Sequence, residues 1–198
     1  MASGSSQVAD QVRILMERDG LRLGIQPGGK LGIGDIILKP DGARLIQGVT
    51  LAPLALFPDD RGYLLELARL GEGLAAHLGA GAKAQISGTY SYPGTIKAFH
   101  FHSRQTDLWA PVSGMFQVVL YDLRIGSPTF GRVNTVYLGN LRPWQLKIPA
   151  GVAHGYKVVG SQPGLLVYIT DRFYDADDEG RIAYNDPDIH YDWELQHK

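Results

Sequence analysis

An all-β fold, an antiparallel sandwich or barrel behind one N-terminal helix, is what the 198-residue sequence predicts. From about residue 36 onward, short runs rich in Val, Ile, Leu, Tyr and Phe follow one another at close spacing. The segments between them have turn chemistry, as in "PDDRG" (58–62), "GSPTFG" (126–131) and "SQPG" (161–164). Helical periodicity is confined to two short stretches.

Taken in order, residues 1–6 form a lead and "SSQVADQVRILMERDG" reads as a helix over about 6–19. Val8, Val12, Leu15 and Met16 share one face, Ser5 or Ser6 caps the start and Gly20 ends it. "QPGGKLGIGD" is a turn region, because Gly32 and Gly34 lack the strand–turn–helix context of a nucleotide loop. The expected strands are "GDIILK", "VTLAPLALF", "GYLLELARL", "AQISGTYSY", "TIKAFHFH", "FQVVLYDLR", "NTVYLG", "WQLKIP", "YKVVG" and "GLLVYITDRFY", with "EGLAAHLGAG" as a short peripheral helix. The tail is polar, aromatic and irregular, and "DADDEG" reads as a solvated acidic turn without calcium-loop spacing. With no internal repeat and no linker, the chain divides into an N-terminal extension, 1–45, and one domain, 46–198.

Composition narrows the function. With 44% apolar and 20% charged residues the chain can bury a core. A net charge of −1 gives no global case for nucleic acid or an anionic membrane. The absence of cysteine excludes disulfides, cysteine–zinc sites and thiol nucleophiles. No apolar run approaches the ~20 residues of a bilayer span, and the N-terminus is not a secretory signal. A cytoplasmic protein is expected.

The chemistry concentrates in "GTIKAFHFHSRQTDLWAPVSG" (94–114). On a strand, His100 and His102 share a face and Phe99 and Phe101 take the other. Ser103–Thr106 can turn the chain so that Asp107 returns on the adjacent strand toward the imidazoles, and "IPAGVAHGY" places His154 after a Pro-x-Gly turn. Such a set can be a metal cage, a metal-free acid–base site or a polar patch on a strand. Trp109 and Trp144 suit stacking on a ligand or core packing. His77, His190 and His197 read as surface residues.

These residues resemble the cupin superfamily. Gly94, His100, His102, Asp107 and Gly114 match its first motif, with Asp for Glu, and Pro149, Gly151 and His154 match its second. From about Gly48 to Trp193 the chain resembles, more narrowly, the dTDP-4-dehydrorhamnose 3,5-epimerase family. The resemblance is carried by "DDRGYLLE", "GTIKAFHFH", "YDLRIGSPTFG", "QLKIPAGVAHGYKVV" and "VYITDRFYDADDEGRIAYNDPDIHYDW".

The resemblance implies a double-stranded β-helix, the jelly-roll cupin. It also implies a homodimer whose strands cross between subunits. The implied reaction is proton abstraction beside the keto group of a dTDP-4-keto-6-deoxy sugar or related nucleotide sugar, without a cofactor. His100 would be the base and Tyr168 the acid. Arg61, Gln85, Lys97 (in place of the usual Arg), His154 and Tyr174 would bind substrate. Two departures stand out. Asp107 replaces a family lysine near the developing enolate, and the C-terminal segment that supplies an aspartate partner for the base is absent, leaving His100 without an orienting group. His102 and Asp107 restore the general cupin ligand set, so the alternative is a divalent ion on His100, His102, Asp107 and His154, in a metal-dependent sugar isomerase or dioxygenase. A non-catalytic sugar-binding cupin is the other alternative.

Overall fold

The computed structural model describes residues 12–195. It opens with a hairpin, β1 (Arg13–Arg18) and β2 (Leu21–Ile25), followed by β3 (Asp35–Ile36) and β4 (Thr50–Pro53). A second hairpin, β5 (Ala55–Asp59) and β6 (Gly62–Glu66), leads to a 3-10 segment at Gly73–Leu78. The remaining strands are β7 (Gln85–Ser91), β8 (Ile96–His102), β9 (Asp107–Ser113), β10 (Met115–Asp122), β11 (Val133–Gly139), β12 (Trp144–Ile148), β13 (Val152–Val159), β14 (Gly164–Thr170) and β15 (Glu179–Arg181). Among the described residues no helix is long and apolar enough to cross a membrane.

Two sheets form the body. One has the order β15-β8-β13-β10-β11-β3 and the other β4-β12-β9-β14-β7. β10 shows how the sequence produces this. Phe116, Val118 and Leu120 join the core cluster that includes Leu146 and Leu166 of the second sheet, whereas Val119 and Tyr121 point to the opposite face. A strand apolar on both faces needs two covers. The second cover is Leu23 and Ile25 of β2 together with Ile182, Ile189, Tyr191 and Trp193 of the tail.

The N-terminal reading needs correction. Residues 13–18 are a strand, not the second half of a helix. Asp19 and Gly20 both have positive φ, 50° and 80°, and join β1 to β2 as a two-residue Asp-Gly turn. Leu15 and Met16 pack on the second cluster from this strand, so their spacing fits a hairpin as well as a helix. Val8 and the Ser5 or Ser6 cap lie outside the described residues. The short peripheral helix is present as the 3-10 turn, and the tail is ordered enough to bury Trp193 and to add β15.

The core fills only one flank of the space between the sheets. Its side chains come mainly from β10, β11, β12, β13 and the stretch Ile37–Leu51 that ends in β4, with Trp109 of β9 and Leu166 of β14 joining them. Toward the other flank, where β8, β13, β9, β14 and β7 face one another, polar side chains replace the apolar ones and a cleft opens.

Candidate active site

The cleft has a volume of about 360 Å³. β8 contributes Lys97, His100 and His102, because Phe99 and Phe101 are committed to the second cluster on its other face. β13 is paired to β8 with His154 opposite His100. The facing sheet contributes Asp107 and Trp109 from β9, Tyr168 and Thr170 from β14, and Gln85 and Thr89 from β7. Asp107 thus reaches the histidines from the opposite sheet rather than from the neighbouring strand, and it sits in register with Thr170.

Eight of the nine site residues expected from sequence, His100, His102, Asp107, His154, Tyr168, Gln85, Lys97 and Tyr174, line this cleft. Arg61 does not. It stands on the turn of the β5–β6 hairpin, 83% exposed, with its Nη2 donating to Asp59 Oδ2 at 2.6 Å. Trp109 also lines the cleft; it belongs to the core cluster and its ring meets the His154 ring edge-on at 5.3 Å.

The four candidate ligands divide into two groups. His102 Nε2 lies 3.9 Å from Asp107 Oδ1, and His154 Nε2 lies 3.6 Å from Asp107 Oδ2. One donor atom from each of these three lies within 4.8 Å of the others. His100 is outside that group, so the four-ligand set is corrected to three. Its Nδ1 is instead 3.3 Å from Glu179 Oε1. Burial lowers the pKa of His100; Glu179 opposes the shift and Arg181 adds to it. Burial also pushes His154 down to about 4, against the pull of Asp107. Both imidazoles are therefore neutral at pH 7. His154 Nδ1 donates to the Val152 carbonyl at 3.0 Å, which leaves its Nε2 as a lone pair facing Asp107. Asp107 is buried and accepts from the Gln105 amide at 2.7 Å and the Trp109 indole at 3.2 Å, both neutral donors.

The remaining side chains preset the walls. Lys97 Nζ donates to Thr89 Oγ1 at 2.7 Å, Gln85 Oε1 accepts from the Tyr174 backbone at 2.9 Å, and Tyr156 and Ser91 share a hydrogen bond of 2.9 Å.

Sequence reasoning missed Glu179 and Asp178, both hidden in "DADDEG". Neither is solvated. The Glu179 side chain is 13% exposed and Asp178 is buried. The usable signal was the alternation in Glu179-Gly180-Arg181-Ile182. Charged residues face the cleft, while Gly180 and Ile182 face the second cluster. A Cβ on Gly180 would lie 2.0 Å from the Phe101 ring, so only glycine lets β15 approach β8 this closely.

The family model for dTDP-4-dehydrorhamnose 3,5-epimerase matches residues 44–198. The chain belongs to the dTDP-4-dehydrorhamnose 3,5-epimerase family. The spore coat polysaccharide biosynthesis protein SpsL of Bacillus subtilis is 45% identical over 77% of this chain and 99% of its own length. The dTDP-4-dehydrorhamnose 3,5-epimerase of Pseudomonas aeruginosa is 35% identical over 76% of this chain and 84% of its own. Among solved structures, the dTDP sugar isomerase of Desulfovibrio desulfuricans superposes with a TM-score of 0.68 at 31% identity, covering 75% of this chain and 92% of that one. The Legionella pneumophila epimerase in complex with dTDP-4-keto-L-rhamnose gives 0.64 at 29%, covering 76% and 80%. As a member of the epimerase family the chain is an isomerase, a sugar-nucleotide epimerase with a cupin fold. The dioxygenase and pure binding alternatives gain nothing from these likenesses.

Asp178 is the anchor that brings β15 to the site. Its carboxylate accepts from the Ser103 hydroxyl and from the backbone N–H groups of Ser103, Arg104 and Gln105. Burial alone would raise its pKa, but these bonds outweigh burial and hold it below the ordinary 3.8. A lowered carboxylate stabilises the fold fully above its unfolded pKa, and the contribution is lost as pH falls through the folded value. Asp178→Ala is expected to cost roughly 2–4 kcal/mol in chemical denaturation at pH 7, and Asp178→Asn to flatten the acid limb below pH 4. An unchanged acid limb in Asp178→Asn would contradict this account.

Proposed function

We propose that the chain inverts a carbon beside the keto group of a dTDP-4-keto-6-deoxy sugar or a related nucleotide sugar, with His100 as base and Tyr168 as acid. The observation that carries this reading is that a neutral imidazole and a phenol enter one cleft from opposite sheets. A ketone acidifies the carbon beside it, and a neutral imidazole is a competent base at cell pH. His100 takes the C–H proton from one face of the sugar and an enolate forms. Tyr168 returns a proton from the other face, then regains one from solvent while His100 gives its own up. The imidazolium formed in between lies beside the Glu179 carboxylate. Lys97, Gln85, His154 and Tyr174 are assigned to substrate binding, Lys97 supplying a lysine charge in the cleft.

The place of Arg61 supports a homodimer. Among the described residues the β5–β6 hairpin pairs only with itself, and it exposes Phe57, Tyr63 and Leu64, while edge strand β7 exposes Ile86 and Tyr90. Apolar side chains in such numbers beside an open sheet edge mark an interface. In this reading the hairpin crosses to a second copy and delivers Arg61 to the nucleotide diphosphate there, where a planar cation suits phosphate.

A second reading concerns a metal and rests on the trio His102, Asp107 and His154. A buried carboxylate faces two imidazoles with only neutral hydrogen-bond donors on it. Tetrahedral ligation at ~2.1 Å needs donor separations of roughly 3.4 Å, so distances of 3.6 and 3.9 Å require a small inward shift. A divalent ion there would supply the positive charge that the family lysine provides elsewhere. With His100 outside the trio, a bound ion would leave the base free.

Three measurements test these readings. Incubated in deuterated water with dTDP-4-keto-6-deoxyglucose, the protein should place deuterium at C3 or C5. His100→Asn and Tyr168→Phe should each slow turnover by about 100-fold or more; absence of any incorporation ends the epimerase reading. Light scattering should give twice the 21.6 kDa chain mass, and Arg61→Ala should raise KM more than it lowers kcat; a fully active monomer contradicts the crossed dimer. Cobalt(II) titration of the chelator-dialysed chain should give visible absorption saturating near one equivalent and lost in Asp107→Asn. Failure to bind cobalt, with the circular dichroism unchanged, removes the metal.

A further inference from the structure

We infer that Glu179 is the positioning residue for His100, holding the imidazole with Nδ1 protonated so that Nε2 is left as the basic atom. The inference rests on the reading of His100 as the base.

Three independent features place the carboxylate. β15 is registered on β8 with Glu179 opposite His102 and Arg181 opposite His100, so both charged side chains emerge on the histidine face. Gly180 lies flat on the Phe101 ring, which sets the distance between the two strands. Asp178, one residue earlier, is tied to the turn that ends β8 by hydrogen bonds to residues 103–105. With the strand held on both sides in this way, the Glu179 carboxylate stands 3.3 Å from Nδ1 of the ring.

The chemistry follows from that placement. A carboxylate accepts and does not donate, so the nitrogen facing it carries the proton. The other nitrogen then has the free lone pair. When His100 takes the substrate proton, the ring becomes an imidazolium and the adjacent carboxylate stabilises it, so the charge forms where a counter-charge already stands. Arg181 Nε also donates to Glu179 Oε1, at 2.7 Å. That bond keeps Glu179 ionised and tempers its pull on the histidine. The ring remains neutral before reaction, consistent with its lowered pKa.

The test has a spectroscopic and a kinetic arm, both on the full chain. Long-range proton–nitrogen correlation spectra of imidazole-labelled protein should show His100 predominantly protonated on Nδ1 in the wild type and without that preference in Glu179→Ala. With substrate, Glu179→Gln should lower kcat roughly 100-fold or more while KM stays within about 3-fold, and Glu179→Asp should recover part of the loss. A wild-type spectrum with the proton on Nε2 overturns the inference, whether or not the variants fold. So does a Glu179→Gln enzyme with raised KM and unchanged kcat, which would make the carboxylate a substrate ligand. Should His100→Asn retain full deuterium exchange, the base assignment fails, while the spectrum still reports the contact.

Discussion

The two-sided commitment of strand β8 is the constraint on which the site depends. Phe99 and Phe101 are buried in the cluster beneath the six-stranded sheet, at 1% and 3% exposure. Rotating the strand or slipping it by one residue would bring two phenylalanines into the cleft and bury two histidines in an apolar layer. At ~25 cal/mol per Å² of apolar surface, misplacing two phenylalanine rings costs several kcal/mol before the desolvation of two imidazoles is added. The hydrophobic layer on the outer face thus fixes the direction of the chemical groups on the inner one. The same layer explains why β2 and the tail are needed at all, since Leu23, Ile25, Ile182 and Trp193 seal the rings from water.

Across its width the sandwich is divided into a dry flank and a polar flank. β10 and β11 meet β12 and β4 through aliphatic and aromatic side chains, whereas β8 and β13 meet β9, β14 and β7 through imidazoles, carboxylates and phenols. Tyr156 and Trp109 stand at the boundary. Each packs in the core cluster and turns a polar atom to the cleft, Tyr156 to Ser91 and Trp109 to Asp107. Stability is supplied on one flank, which leaves the other free to hold buried polar groups.

Much of this was legible in the chain. Alternation at 99–102 separated the histidine face from the phenylalanine face, and the motif spacing brought His154 and Asp107 to the same site. Two things were not. Helix and hairpin are indistinguishable from the spacing of Leu15 and Met16 alone; the Asp19-Gly20 turn decided between them. Glu179 was concealed because an acidic run reads as solvated unless its register against a distant strand is known. Glu179 lies 79 positions beyond His100 in the chain, and the β8–β15 pairing brings them together. Arg61 shows the limit in the other direction: its motif matched, yet it stands exposed on a hairpin turn and does not line the cleft of its own chain.

The separation of His100 from the trio changes the logic of the site. Four residues sharing one ion would force a choice between ligand and base at His100. Here the imidazoles divide between two carboxylates. Glu179 faces His100, and Asp107 faces His102 and His154. A carboxylate at Asp107 would by itself repel an anion developing beside it. A cation held by His102, Asp107 and His154 would answer that charge, and because His100 stands outside the trio and faces Glu179, such an ion would leave its imidazole free.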